Sequence, residues 1–463
     1  MFKSDRFPEL LGAVAFFLLL LISASSTGDY QGGDTHLHYL IARYATIHYE
    51  LLLNHWGKPF YTLIYCLPSS ISYEFVRVFT SILAGFTAYH LYRWGKELNL
   101  KFPAAAIIFL LFSPIYIWMA TSAMTEVLFS FWLVVGLRLL HNERWFWGAV
   151  WLSFLPFIRT EGFVLLPFIG CWFIYKKRWL QLPFFALGTL VYTVVGGLYF
   201  NDFAWLITKN PYPTDVHFYG SGSWFHFIKT FKSTWGGVFF LGLMIGCVGL
   251  WFRKGDLLKK GWFLVLVPMT IYFVFHTIAW ATGTMASLGE VRVLAAIMPL
   301  FALVAAVGVE ELEKRINRPF NSIGWLVLFA LLILNAFVVV RPPIKSKGEL
   351  VVMTEVAQYI NEKYPSSRLW CTNIQLAKEL DKDVWNEEEY RMYLLDTIYF
   401  SQVMKPGEII VWDAHFSPNE GGTPLQKLRD YKGLKEIKRF TPQKTFKVLG
   451  DLDYEVVLFV VKE

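Results

Sequence analysis

The stretch LLGAVAFFLLLLISASSTGDYQGGDTHLHY, Leu10 to Tyr39, changes character at Ser25. Up to that point it is almost wholly apolar; beyond it come Asp29, Asp34, His36 and His38. The apolar part approaches the length a membrane-crossing helix needs, and ionisable groups crowded beside such a helix are functional candidates. The rest of the chain has the same character. Its 463 residues are 55% hydrophobic, 18% aromatic and 17% charged, with mean hydropathy +0.42, too apolar for a soluble enzyme of this length. The net charge is +7, but the basic residues sit in short clusters between apolar runs, which marks topology rather than a nucleic-acid surface. MFKSDR precedes the first run without a small-residue cleavage site, so that run reads as a retained anchor.

Apolar runs near Leu10–Ser25, Tyr73–Tyr92, Pro103–Ala120, Thr125–Leu140, Trp145–Ile158, Phe163–Tyr175, Leu180–Phe200, Trp235–Phe252, Trp262–Ala281, Val291–Val309 and Phe320–Val340 predict an α-helical polytopic membrane protein of about eleven spans. The loops carrying RWGKELNLK, RLLHNER, KKR, RKGDLLKK and EKRINR alternate with loops poor in lysine and arginine. That pattern places the N-terminus in the cytoplasm and the C-terminus outside, in a plasma or inner membrane. The first outer loop, 26–72, contains THLHYLIARYATIHYELLLNHW, whose mixed faces suit interfacial helices. After Pro343 the composition turns soluble: ELVVMTEVAQYINEKY reads as an amphipathic helix, while RLWCTN, GEIIVWDAHF and YEVVLFVVKE read as strands. The expected organisation is a membrane module over 1–340 and a small extracytoplasmic α/β domain over 341–463. Of the four cysteines, Cys66 and Cys371 fall outside the cytoplasm, allowing at most one disulfide.

The charge-derived topology gathers several ionisable residues on the outer side: Asp29, Asp34, His36, His38, His55 and Lys58 in the first loop, then Glu126, Arg159 with Glu161, and Glu290 with Arg292 at helix ends. Carboxylates among cations at a membrane surface suit one reaction. A carboxylate removes a proton from an acceptor hydroxyl, and cations stabilise a departing phosphate whose polyprenyl tail stays in the bilayer.

GGDTHLHYLIAR followed by HWGKPFYTLIYCLP resembles the first outer loop of the GT-C glycosyltransferases, the polytopic enzymes that include aminoarabinose transferases and protein mannosyltransferases. MTEVLF at 124–129, FIRTEGFVLLP at 157–167 and GEVRVLAAIMPL at 289–300 are similar to further segments of that family, in the same order. Thr35 stands where the family often has a second acid, Phe60 where it has a second proline, and the first loop has no DxD. The resemblance implies a GT-C-like fold and a polyprenyl-phosphate-sugar-dependent transferase of hexosyl or mannosyl type. It makes Asp34 the catalytic base, with Lys58, Arg292, Arg159, Glu126, Glu161 and His55 as substrate-binding residues. The donor is then a lipid-linked sugar and the acceptor a glycan, lipid or protein. A divalent metal is compatible with these motifs but not required by them.

Each residue also has an ordinary reading. Asp34 is of the type that caps a helix, and Asp29 suits a turn in GDYQGG while remaining the other candidate base. His36 and His38, two apart, point to different helix faces and so make a poor metal pair. Lys58 reads equally as a snorkelling lysine or a phosphate contact, and Arg292 also suits a headgroup anchor. Glu126, Arg159 and Glu161 could simply neutralise one another. DAHF at 413–416 reads as a strand-end turn. The competing functions are a membrane transporter and a flippase or ligase of lipid-linked glycans, against which stand the missing internal repeat and the one-sided placement of the charges.

Overall fold

The computed structural model describes residues 6–30, 32–211, 220–253, 261–285, 287–316, 319–392 and 403–463. Most of MFKSDR, all of RKGDLLKK but its first residue, the last two residues of EKRINR and the stretch 212–219 therefore lie outside the described residues. The chain divides into two units. One comprises the chain up to Ser26 with Tyr49–Ile344; the other comprises Thr27–His48 with Lys345–Glu463. The division falls inside the first outer loop, which sequence alone gave no reason to split.

Seven helices lead the chain: α1 (Phe7–Ser25), α2 (Gly33–Tyr44), α3 (Pro59–Ile71), α4 (Tyr73–Glu97), α5 (Pro103–Leu111), α6 (Pro114–Ala120) and α7 (Thr125–His141). All but α2 belong to the first unit. α1 has Pro8 in its first turn, where an amide N–H would have no helical partner, and Glu9 at the positive end of the helix dipole. α4 is capped by Ser72, whose hydroxyl accepts from the Phe75 N–H at 3.1 Å. α5 and α6 meet at a 70° bend where Pro114 removes a donor and restricts Ser113.

The protein is an integral membrane protein, and its helices differ in what surrounds them. Within the helical stretch 291–316, 94% of the apolar window is buried, whereas in Ser322–Val340 only 22% is. The first is apolar all round and enclosed by other helices; the second turns its apolar side chains outward, as a lipid-facing helix does. Gly237–Phe252 crosses Met298–Ile316 at backbone contact: a Cβ on Gly246 would overlap the Val304 carbonyl, and one on Gly308 the Gly242 carbonyl. Among the described residues five helices are long and apolar enough to cross a membrane, or six if the bent α5–α6 pair is one span. The expectation of about eleven is not reached by that measure. The stretches 145–157, 162–175 and 237–252 are apolar but short of a full crossing, and α4 carries Arg77, Thr80, Ser81, Thr87 and His90 along its length.

The second unit is built on a five-stranded sheet of order β2-β1-β3-β5-β4, with β1 Leu369–Cys371, β2 Tyr390–Arg391, β3 Ile409–Asp413, β4 Leu434–Phe440 and β5 Val456–Val461. β1 runs parallel to β2 and β3; β5 runs antiparallel to β3 and β4. IIVWD of β3 is buried throughout, as expected of a central strand covered on both faces. The edge strand β4 exposes Lys435, Glu436, Lys438 and Arg439 and shifts register between Glu436 and Lys438, which discourages pairing with another chain. α2 packs beside Ile374–Glu379, and its C-terminal end is held by Arg43 to Asp381 at 2.7 Å and by His48 to Asp383 at 2.7 Å. Burial, aided by the Asp381 charge, pushes the Tyr44 hydroxyl up to about 12. All four cysteines are free thiols.

Candidate active site

Four of the residues singled out in the sequence meet in the first unit. Glu126, in the first turn of α7, and Glu161, beside the start of Gly162–Tyr175, are both bound by Arg159, at 2.6 Å and 2.7 Å. Arg159 also donates to the Thr125 hydroxyl at 2.9 Å. Arg292 approaches Glu126 at 3.9 Å, a looser contact than that of Arg159. The Glu126 side chain is 0% exposed, and those of Arg159, Glu161 and Arg292 are 12%, 13% and 14% exposed. Two carboxylates and two guanidiniums give a cluster of no net charge. That neutrality makes its burial tolerable, and Coulomb interactions inside it are far stronger than in water.

Tyr272 and His276 were not anticipated. The Tyr272 hydroxyl donates to Glu161 at 3.5 Å, and the His276 Nε2 stands 3.5 Å from the same oxygen. They are four apart on Phe263–Thr282 and so share a face. The signal was present in TIYFVFHTIAW: a histidine inside an apolar run is itself an ionisable group at membrane depth.

Lys58 precedes Pro59 at the start of α3 and has φ 61°, a conformation that non-glycine residues adopt at a cost. The turn that imposes it is stapled: Asn54 Oδ1 accepts from the Gly57 N–H at 2.8 Å, and Thr62 donates its hydroxyl to the Gly57 carbonyl at 2.9 Å. One turn into α3, the Tyr61 hydroxyl donates to the Ala123 carbonyl at 2.6 Å, which sets α3 against the approach to Glu126. His55 rests on Trp205, with its Nε2 3.3 Å from the Trp205 carbonyl. Burial lowers the His55 pKa, opposed by that carbonyl and assisted by the Lys58 charge, so the ring is neutral at pH 7. Farther along the chain, His226 Nε2 meets the Gly289 carbonyl at 2.7 Å, three residues before Arg292.

Asp34 and Asp29 lie in the second unit. Asp34 is partly exposed in the first turn of α2; the cap position belongs to Gly32, so Asp34 is not the cap residue its type allowed. Asp29 is instead buried, with Oδ2 3.0 Å from His36 Nε2 and side-chain exposures of 2% and 1%. His38 is buried on the same helix. Asp413 ends β3 and caps the turn that follows, accepting from the Phe416 N–H at 2.5 Å, as DAHF suggested. Nearby, burial raises the Asp413 and Glu420 pKa values, and the Asp34 charge adds to the shift at Glu420. His415 is raised by Glu349 at 2.9 Å against the opposing effect of burial. Among the described residues no group of three or more His, Cys, Asp or Glu side chains is arranged to hold a metal.

Sequence comparison finds no matching family model and no matching curated protein. The fold, by contrast, has a solved counterpart. The crystal structure of ArnT from Cupriavidus metallidurans bound to undecaprenyl phosphate superposes with TM-score 0.61 over 98% of this chain and 98% of that one, at 11% identity. The GT-C-like fold implied by the sequence resemblance is therefore the fold of this chain.

Proposed function

We propose that this chain is a glycosyltransferase that moves a sugar, of hexosyl or mannosyl type, from a polyprenyl-phosphate donor to an acceptor hydroxyl at the outer face of the membrane. The observation that carries the reading is the convergence of Glu126, Arg159, Glu161 and Arg292 into one buried cluster. Undecaprenyl phosphate is what the ArnT of similar fold has bound. In the proposed reaction Asp34 takes the proton of the acceptor hydroxyl, and the oxygen attacks the anomeric carbon. The bond from that carbon to the phosphate oxygen breaks, and the electron pair leaves with the lipid phosphate, whose charge Lys58 and Arg292 offset. A single displacement inverts the anomeric centre. Asp34 is preferred to Asp29 because the Asp29 side chain is 2% exposed and already bound to His36.

The test is a transfer assay with the purified full-length protein in lipid nanodiscs and a panel of polyprenyl-phosphate sugars, comparing wild type with Asp34→Asn. Product from at least one donor, falling about a hundredfold or more in the variant, is the expected result. Lipid translocation without any covalent product would make the chain a flippase instead.

A further inference from the structure

The segment that leads into α2 is fixed at four successive places. The Thr27 carbonyl accepts from the Ser346 hydroxyl at 3.0 Å. Gly28 lies so close to the Lys345–Ser346 backbone that any Cβ would overlap it. Asp29 is bound to His36 at 3.0 Å. Gly32 has φ 54°, and a Cβ there would also lie 3.0 Å from Leu350 Cδ2. The first helical hydrogen bond, from the His36 N–H to the Gly32 carbonyl at 3.1 Å, then starts α2.

We propose that Asp29 and His36 are positioning residues for Asp34, acting by closing the chain around it. The inference rests on Asp34 being the base. The Asp29–His36 bond joins two residues seven apart, and Asp34 lies inside the resulting ring, two residues before His36. Both ends of the ring are almost fully buried, so neither can shift without stranding a buried polar group. Within the ring Asp34 is partly exposed. Its carboxylate is therefore carried on a backbone whose position is set by a bond it does not itself make. A positioned base acts through geometry, and a displacement of about 1 Å is enough to lower a rate a hundredfold.

The test uses the full-length protein with Asp29→Ala, Asp29→Asn and Asp34→Asn. It reads hydrogen exchange at 33–38 together with transfer kinetics. In Asp29→Ala the amides of 33–38 should exchange about tenfold faster or more, while β1 and β3 exchange as in wild type. The kcat should fall about thirtyfold or more with the KM for donor within about twofold. Asn at 29 still offers an oxygen to the His36 N–H, so Asp29→Asn should return both readouts to within about threefold of wild type. Unchanged exchange in Asp29→Ala would overturn the inference, and so would an Asp29→Asn variant as inactive as Asp34→Asn, since the charge of Asp29 would then be doing the chemistry. If the wild type transfers no sugar the reading of Asp34 as base fails, and the exchange measurement still decides whether the pair fixes the turn.

Discussion

Replacing Arg159 by methionine removes the side chain that, among the described residues, binds both Glu126 and Glu161. Glu126 is then left with Arg292 at 3.9 Å and the Thr125 hydroxyl at 3.5 Å, and Glu161 with Tyr272 and His276 at 3.5 Å. Breaking a buried pair from one side costs about 3–5 kcal/mol. A ceiling exists, because a stranded carboxylate can take up a proton. From an ordinary glutamate value that costs about 2.7 pH units at pH 7, or about 3.7 kcal/mol per group. Two stranded groups bound the loss between about 3 and about 7 kcal/mol. The triple variant Arg159→Met with Glu126→Gln and Glu161→Gln removes the stranded charges together with the guanidinium, and should recover most of that stability while remaining without transfer activity. The assay is thermal unfolding of the detergent-solubilised protein at pH 7, paired with transfer measured on the folded fraction. A loss below about 1 kcal/mol in Arg159→Met would refute the idea that the buried charges depend on this arginine. A triple variant that regained full activity would show the cluster to be structural only.

Other expectations concern separate parts of the molecule. Lys58→Gly should raise stability by about 1 kcal/mol by relieving the positive φ, yet weaken donor binding about tenfold, whereas Lys58→Ala should lose affinity without the gain; unfolding and lipid-phosphate titration separate the two. Gly246→Leu should destabilise the first unit by about 3 kcal/mol or more, because the obstacle is the Val304 backbone rather than a movable side chain; loss of the monodisperse peak on size-exclusion chromatography would report it. In the second unit His415, Asp413 and Glu420 all have raised pKa values. The folded state therefore holds more protons than the unfolded one, and stability rises as pH falls. The His415 contribution is lost as pH rises through its raised folded value and is fully present below the ordinary value of 6.5. Glu349→Gln should flatten this dependence, measured as hydrogen-exchange protection around His415 between about pH 6 and pH 8.

The sequence carried the membrane character, the helix and three of the five strands of the tail-piece, and the group Glu126, Arg159, Glu161 and Arg292, because each of these is a local departure from an apolar background; it missed the strands Tyr390–Arg391 and Leu434–Phe440. It did not carry the Asp29–His36 pair, since GDYQGG has the composition of a turn and nothing local shows that Asp29 folds back under a helix. Asp34 looked like a helix cap because Gly32 and Gly33 offer no side chain to compete for that role, yet the helix begins one residue earlier than Asp34. Tyr272 and His276 were passed over as part of a span: their spacing puts them on one face, but the carboxylate they meet lies 111 residues from Tyr272 in the chain. Among the described residues the expected span count is not reached, because stretches such as 162–175 are apolar enough but short of a full crossing, a distinction that an approximate reading of apolar runs blurs.

The interleaved order of the two units has a consequence for how the protein is made. Thr27–His48 emerges from the ribosome early, but its structural partners begin at Lys345, after the whole of Tyr49–Ile344. At about 5–20 residues per second, the α2 segment waits roughly 15–60 seconds for the chain that completes its fold. During that interval the segment lacks the helix Ile374–Glu379 beside which α2 packs, and it is open to proteases and chaperones. A nascent chain stopped before Lys345 would thus possess the arginine cluster and lack the last 119 residues, with which the α2 segment forms its unit.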